Sequence, residues 1–94
     1  MQSAFLEYCE LANYRMEDFN FQSADLTGSD MHNVDVERAN FAYAILVGVN
    51  LQNADLSNVN FKGADLSYAN LQGATGIGSA NFQGATTTGC IGCP

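Results

Sequence analysis

Large apolar residues recur at every fifth position along most of the chain. In the stretch NADLSNVNFKGADLSYANLQGA, residues 53–74, they are Leu56, Phe61, Leu66 and Leu71. A helix turns about 100° per residue and a strand alternates faces every second residue, so neither keeps such a series on one side. The spacing therefore predicts a chain that turns a corner every five residues.

Each five-residue unit has the same internal order. Two residues before the large apolar position, called here the central position, lies a second and mostly small apolar residue, and the residue between them is mostly Asp or Asn. An inward–outward–inward triplet is a very short strand, and the next two residues are turn-like, with Gly or Asn frequent at the second. The central positions form the predicted core: Leu6, Leu11, Met16, Phe21, Leu26, Met31, Val36, Phe41, Leu46, Leu51, Leu56, Phe61, Leu66, Leu71 and Phe82.

A longer period of twenty residues combines the units into coils. The segments DFNFQSADL, RANFAYAIL and NVNFKGADL lie twenty residues apart. Four units would then make the four sides of one coil, and residues twenty apart would lie above one another, as in solenoids built from short repeats.

The register slips once, because Phe82 follows Phe61 by twenty-one residues. We expect the extra residue near positions 75–79, where Gly76 and Gly78 suit a bulge. The predicted organisation is one β-helical domain over residues 1–89 and a short Cys-containing tail over residues 90–94.

The A-[D/N]-L-x-x unit, plain in NADLS, GADLS, YANLQ, SADLT and RANFA, resembles the signature of the pentapeptide-repeat family. The resemblance covers residue 4 to about residue 87. It implies an all-β fold, a right-handed quadrilateral β-helix of about four 20-residue coils with four pentapeptides each. It implies little about activity, since most members have no assigned activity and fold does not imply function. The family is abundant in cyanobacteria, which is the only indication of source.

The formal net charge of −7 argues against direct nucleic-acid binding, and eight of the ten acidic residues lie in the first 37. One interpretation is that these carboxylates solvate the faces of a scaffold. The alternative is an acidic strip that mimics DNA phosphates. The resemblance suggests it, because some pentapeptide-repeat proteins linked to quinolone resistance bind DNA gyrase as DNA mimics. Those proteins are much longer and dimerise through C-terminal elements. The stacking of Asp35 beneath Asp55 suits repulsion as well as cation binding, so no metal site is predicted.

Catalytic chemistry has little support in the sequence. His32 is the only histidine and follows a central position, so it should point outward without a nucleophile beside it. The GIGSAN segment lacks the strand–helix surroundings of a dinucleotide site. We therefore predict no enzyme activity and no cofactor.

Localisation is predicted from what the sequence lacks. It has no apolar run long enough to span a membrane and no basic-then-apolar leader. These absences favour a cytoplasmic protein without membrane contact, with the thylakoid lumen or periplasm as the alternative if a leader was removed.

The cysteines fall into two groups. Cys9 occupies an inward small position, whereas Cys90 and Cys93 form the motif CIGC. One CxxC is at most half a zinc site, and the βα surroundings of a thioredoxin-type motif are missing. A local Cys90–Cys93 disulfide and a pair of free thiols both remain open. A Cys9–Cys90 bridge is not expected, since four coils separate the two by about 19 Å at strand spacing, beyond a disulfide's reach of about 7 Å.

Phe5 and Ile45 break the rule that the middle residue of each triplet is polar, and Val47 lies nearby. Scattered surface apolars are normal, and the alternative is a small patch that contacts an unidentified protein partner. Open coil ends also invite self-association. The sequence thus predicts a non-enzymatic interaction scaffold of unknown role. Its alternatives are an acidic regulator of DNA gyrase or topoisomerase and a redox-responsive module that uses CIGC.

Overall fold

Parallel pairing between residues twenty apart connects successive coils. The computed structural model describes residues 3–94, so the first two residues of the expected domain lie outside it. Phe5 pairs with Asp25, Asp25 with Ile45, and Ile45 with Asp65. The paired residue is always the middle of the inward–outward–inward triplet. Each strand is a single bridged residue, and the only helix within residues 3–94 is a 3₁₀ helix, Ile77–Ser79.

A tight turn makes each corner of the coil. The Ala24 N–H donates to the Phe21 carbonyl at 3.0 Å, and Ser23 between them has φ 60°. A positive φ at the third residue of a turn is the type II arrangement. The same position has positive φ in every unit from Ser3 to Gly73, which explains why Gly and Asn recur there. Four corners and four bridged sides complete one twenty-residue coil.

Backbone hydrogen bonds hold neighbouring coils together in both directions. The Phe21 N–H donates to the Asn40 carbonyl of the next coil at 2.7 Å, and the Asn40 N–H donates back to the Phe19 carbonyl at 2.9 Å. Coil stacking thus satisfies the buried backbone groups that such short strands could not pair within themselves.

Ladders of equivalent side chains fill the interior. The central positions from Met16 to Leu71 are at most 4% exposed. Phe21, Phe41, Phe61 and Phe82 form one such ladder, with ring centroids 4.8, 5.5 and 5.1 Å apart. These distances follow the inter-strand spacing of about 4.8 Å, so one phenylalanine per coil builds a continuous stack.

The ends of the coil depart from the predicted core. Leu6, Leu11 and Phe82 are only partly buried, whereas we expected all three to be interior. Within residues 3–94 each has a paired coil on one side only; Met16 has the same situation in the first coil but is 4% exposed, so other contacts also decide burial there. Periodicity identifies the inward direction of a side chain but does not count the coils that cover it.

The twenty-one-residue step lies between Asn60 and Asn81, which are bridged. The 3₁₀ helix at Ile77–Ser79 takes up the extra residue, and Gly76 precedes it with φ 75°. A Cβ at Gly76 would lie 2.5 Å from the backbone nitrogen of Ser57, so only glycine fits without a shift.

Coil pairing continues beyond residue 89, where we expected a separate tail to begin. Ile91 is bridged to Asn70, and its N–H donates to the Ala69 carbonyl at 2.9 Å. Bridged pairing thus reaches two residues beyond the boundary expected at residue 89. The apolar code fades there, but the backbone of the preceding coil still offers pairing groups.

Candidate functional site

One side of the coil, called here the Phe5–Ile45 face, differs from the other three. It consists of residues 4–8, 24–28, 44–48, 64–68 and 85–89. Bridges align the outward residues of these segments in a single column: Phe5, Asp25, Ile45, Asp65 and Thr86. Apolar and acidic side chains therefore alternate along the column from the first coil to the fourth.

Large apolar side chains on this face are open to solvent. Phe5 is 85% exposed and Ile45 is 41% exposed. Val47, the third residue of the predicted patch, is half-buried beside Ile45. At the adjoining corner Tyr8 and Tyr68 are 74% and 68% exposed. The three predicted patch residues thus lie on one face, together with two tyrosines that extend its apolar area.

Glycines in the coil above leave room for the rings of the two tyrosines. A Cβ at Gly28 would lie 2.5 Å from the Tyr8 ring, and a Cβ at Gly89 would lie 2.5 Å from the Tyr68 ring. Each ring therefore occupies the space that a side chain above it would need. Gly48, between these two pairs, has nothing within 4 Å of a would-be Cβ, so the corner between the tyrosines is open.

Two carboxylates on the Phe5–Ile45 face, those of Asp25 and Asp65, are held by their own turns. Asp25 Oδ1 accepts from the Thr27 N–H at 3.1 Å and from the Thr27 hydroxyl at 2.7 Å. Asp65 Oδ1 accepts in the same way from Ser67, at 3.0 and 2.6 Å. The five segments of the face contain no Lys, Arg or His. The face is thus apolar and acidic, with two fixed aspartates, the further carboxylate of Glu7 and no cation of its own.

A second acidic group lies on another side, where Asp35 is bridged to Asp55. One oxygen from each of Asp35, Glu37 and Asp55 lies within 4.8 Å of the others. The hydrogen bond to Asp55, followed by the charges of Asp55 and Asp35, raises the pKa of Glu37. The hydrogen bond from Ser57 lowers the pKa of Asp55. Carboxylate oxygens suit hard cations. Three carboxylates this close also repel one another, so the arrangement does not identify a ligand.

Arg38 neutralises part of this side. Its guanidinium donates to both oxygens of Asp18, at 2.8 and 3.2 Å, and to Glu37 at 3.2 Å. The bond to Arg38 lowers the pKa of Asp18. The acidic strip considered from the sequence is therefore interrupted by a cation from the next coil.

His32 lies beside Asp30, with 2.7 Å between Nδ1 and Oδ1. This contact with His32 lowers the pKa of Asp30. Both side chains are partly exposed, and the pair belongs to the polar surface of a corner.

The cysteines separate into a disulfide and a thiol. Cys90 and Cys93 are joined, with Cα atoms 5.8 Å apart, and both pack against the core cluster. Cys9 is free and partly buried. Buried Ser29 lies above it, accepting from the Cys9 N–H at 3.2 Å and donating to the Leu6 carbonyl at 2.6 Å.

Two recurrent features were not predicted from the sequence. The first concerns the middle Asp and Asn residues, which were explained only by their outward direction. Their Oδ1 accepts the N–H two residues later, as Asn40 does from Ala42 at 2.9 Å. This is an Asx turn, and the five-residue recurrence of Asp and Asn could have revealed it. The pairing of a corner tyrosine with a glycine twenty or twenty-one residues later was also visible in the sequence.

Within the part of the chain that the structure describes, no helix has the length and apolar character needed to cross a membrane.

The repeat pattern and the stacked four-sided coil together define the class of protein. A family model described as pentapeptide repeats matches residues 6–41 and 44–75 in eight copies. The chain belongs to the pentapeptide-repeat family, which implies a right-handed quadrilateral β-helix. Proteins of this family are generally structural or interaction scaffolds.

Several solved structures are similar to this chain. The pentapeptide repeat protein Rfr23 from the cyanobacterium Cyanothece is 23% identical, with a TM-score of 0.62, over 95% of this chain and 84% of that one. A pentapeptide repeat protein from the thylakoid lumen of Arabidopsis thaliana is 30% identical, with a TM-score of 0.41, over 89% of this chain and 70% of that one. QnrB1, a plasmid-mediated fluoroquinolone resistance protein, is 19% identical, with a TM-score of 0.47, over 92% of this chain and 61% of that one. No curated protein matches the sequence.

Proposed function

We propose that this chain is a non-enzymatic scaffold that binds a protein partner through the Phe5–Ile45 face. The observation that carries the proposal is the column in which exposed Phe5 and Ile45 alternate with Asp25 and Asp65. Four of the eight large hydrophobic residues exposed within residues 3–94 lie on this face, and such a group on one side of a small protein is typical of contact surfaces.

The partner's chemistry follows from the charge of the face. Its carboxylates have no cation among the five segments, and the whole chain has a net charge of −7. A partner segment that presents Lys or Arg together with apolar side chains would complement both features. Complementary charge of this kind speeds association and selects the partner.

The spacing of the column suits an extended segment. Asp25 and Asp65 are two coils apart, as are Phe5 and Ile45, which is about 10 Å at the spacing of stacked strands. A polyproline II segment repeats its side-chain direction every three residues, or about 9 Å. Such a segment, lying along the coil axis, could place one basic and one apolar side chain per repeat against the face.

The test uses synthetic peptides and assigned amide NMR spectra of the whole chain. The probe has an Arg and a Leu in each three-residue repeat, with proline between them, and the control peptide has Glu in place of Arg. We expect the probe to shift the amide signals of residues 24–28, 44–48 and 64–68 in a saturable manner, and the control peptide to leave them unchanged. Shifts confined to Asp35, Glu37 and Asp55 would show that the peptide binds by charge alone, and would contradict the proposed face.

A matched pair of variants distinguishes binding through the Phe5–Ile45 face from binding through the net charge of the chain. Ile45→Asn gives this middle position the residue found at Asn40 and Asn50, so the fold should persist while the apolar contact is lost. Asn50→Ile introduces the reverse change on the neighbouring side. We expect Ile45→Asn to weaken peptide binding at least tenfold and Asn50→Ile to leave it unchanged. Equal binding by both variants would remove Ile45 from the site.

The acidic-mimic alternative makes a different prediction. A DNA mimic would inhibit supercoiling by DNA gyrase, whereas we expect no effect at micromolar protein. Asp18 is paired with Arg38, and the Oδ1 atoms of Asp35 and Asp55 accept bonds from their own turns. These contacts support the scaffold over the mimic, and inhibition of supercoiling would reverse that preference.

A further inference from the structure

The Cys90–Cys93 disulfide lies where the coil would otherwise need a large apolar side chain. Gly92 follows Leu71 by twenty-one residues and occupies the central position above it, but it has no side chain to cover the ladder. Both cysteines pack against the core cluster, and Leu71 is only 1% exposed. The two cysteines therefore add apolar packing where Gly92 contributes none.

Few other contacts hold this last segment. The Ile91 N–H donates to the Ala69 carbonyl at 2.9 Å, and the Ile91 carbonyl accepts from the Leu71 N–H at 2.8 Å. A Cβ at Gly92 would lie 3.2 Å from the Leu71 carbonyl, so the backbone rests closely on the coil below. The part of the chain that the structure describes has no further coil above this segment. The Cys90 N–H also donates to the Thr87 carbonyl at 3.1 Å, so its closure depends on three backbone hydrogen bonds and the disulfide.

The ring that this disulfide closes spans only four residues. A cross-link over so short a loop restricts the unfolded chain less than one that joins distant coils. The Cys90–Cys93 bond is thus poorly placed to hold the four coils together and well placed to hold one end closed. We propose that it is a redox-controlled latch, closed when oxidised and open when reduced, which covers or exposes the C-terminal end of the coil.

The opening step requires a dithiol reductant. One thiolate of the reductant attacks a sulfur of the Cys90–Cys93 bond, which breaks that bond and forms a mixed disulfide. The second thiol of the reductant displaces the protein sulfur. Two electrons and two protons pass to the protein, Cys90 and Cys93 become thiols, and the reductant leaves as its own disulfide.

Opening would extend to the neighbouring corner. Gly89 immediately precedes Cys90, and its bare Cα accommodates the Tyr68 ring. Release of residues 90–94 would loosen Gly89 and free that ring at the upper border of the Phe5–Ile45 face. The latch does not depend on what that face binds.

The test is hydrogen exchange at assigned amides of the whole chain, oxidised and after reduction with dithiothreitol. We expect the Ile91 and Leu71 amides to exchange at least tenfold faster after reduction, while the Leu46 and Phe41 amides of the middle coils keep their protection. The Tyr68 ring signals should move at the same time. Unchanged protection at Ile91 would mean that the end stays closed without the disulfide. An equal loss of protection at Leu46 and Ile91 would make the bond a staple for the whole coil. Either result overturns the latch.

Two single variants complete the design. Cys93→Ser keeps Cys90 in its inward position but removes the disulfide, so it should exchange rapidly at Ile91 with or without reductant. Cys9→Ser alters the thiol of the first coil and should keep the full response to reductant. A Cys93→Ser chain as protected as the oxidised protein, or a Cys9→Ser chain without the response, would contradict the assignment.

Discussion

At the scale of single residues, the stability that a side chain contributes depends on whether it points into the coil or toward solvent. Leu46 is fully buried between two coils, whereas the neighbouring middle position Ile45 faces solvent. Asn40 also faces outward, but its Oδ1 accepts the Ala42 N–H at 2.9 Å and so holds a corner. A polar middle residue thus combines solvation with local hydrogen bonding, which explains why Asp and Asn outnumber other polar residues there.

We predict that Leu46→Asp prevents folding, because it buries an unpaired carboxylate and removes packing, a loss of about 4 kcal/mol or more. Asn40→Asp should remain folded, since an aspartate oxygen can still accept the Ala42 N–H. Urea unfolding followed by circular dichroism measures both. Similar losses in the two variants would contradict the assignment of inward and outward positions.

At the scale of the structural element, the repeated unit is a corner rather than a strand. Tyr43 has φ 59° at such a corner, and a Cβ at Gly63 in the next coil would lie 2.6 Å from the Tyr43 ring. Gly48 has a similar φ of 67° but no atom within 4 Å of a would-be Cβ. Both glycines have a positive φ, but only at Gly63 does a neighbouring side chain occupy the space that a Cβ would need.

We predict that Gly48→Ala costs about 1–2 kcal/mol, the cost of an L-residue in the left-handed region. Gly63→Ala should cost about 1–3 kcal/mol more, since the added methyl group must displace the Tyr43 ring. Denaturant unfolding measures the difference. The double variant Tyr43→Ser with Gly63→Ala should return to the Gly48→Ala level, because Ser23 already lies beneath Tyr43 at this corner. Equal losses from the two single alanine variants would show that the ring moves aside without cost.

At the scale of the whole molecule, the stacking of coils brings together charged residues that are distant in the sequence. Asp35 and Asp55 are twenty residues apart in sequence yet bridged in space, with Glu37 beside them. The hydrogen bond to Asp55 and the neighbouring charges raise the pKa of Glu37 above its ordinary value of 4.5. The acidic residues of this side therefore act on one another across coils.

The sign of the pH effect follows from that direction. The folded chain holds the Glu37 proton more tightly than the unfolded chain, so protonation favours folding. The contribution is complete below pH 4.5 and is lost as the pH rises through the raised pKa of the folded state. We predict that Glu37→Gln unfolds at a higher temperature than the parent at pH 7, and that the advantage disappears below pH 4.5.

Thermal unfolding between pH 3 and pH 8 would measure this effect. Glu7→Gln, on the Phe5–Ile45 face and away from Asp35 and Asp55, is the control and should show no such gain at neutral pH. A lower unfolding temperature for Glu37→Gln at pH 7 would mean that the contact between Glu37 and Arg38 outweighs the repulsion.

The sequence by itself determined the coil. A large apolar residue at every fifth position, and Phe21, Phe41 and Phe61 at twenty-residue spacing, allow only a structure with four corners per turn. The step from Phe61 to Phe82 likewise located the inserted residue near Gly76. Such features are readable because a solenoid repeats one local geometry, so periodicity carries the three-dimensional register.

Only the tertiary structure decided how the coils affect one another. It left Leu6, Leu11 and Phe82 partly open in the end coils, since burial depends on what covers a side chain as well as on its direction. It extended pairing to Ile91 where the apolar code had faded, because the backbone of the coil below supplies the hydrogen-bond partners. It also joined Cys90 to Cys93, a pairing that the motif alone had left open. Periodicity fixes the direction of each side chain, whereas contacts at the ends and between coils depend on what lies above and below.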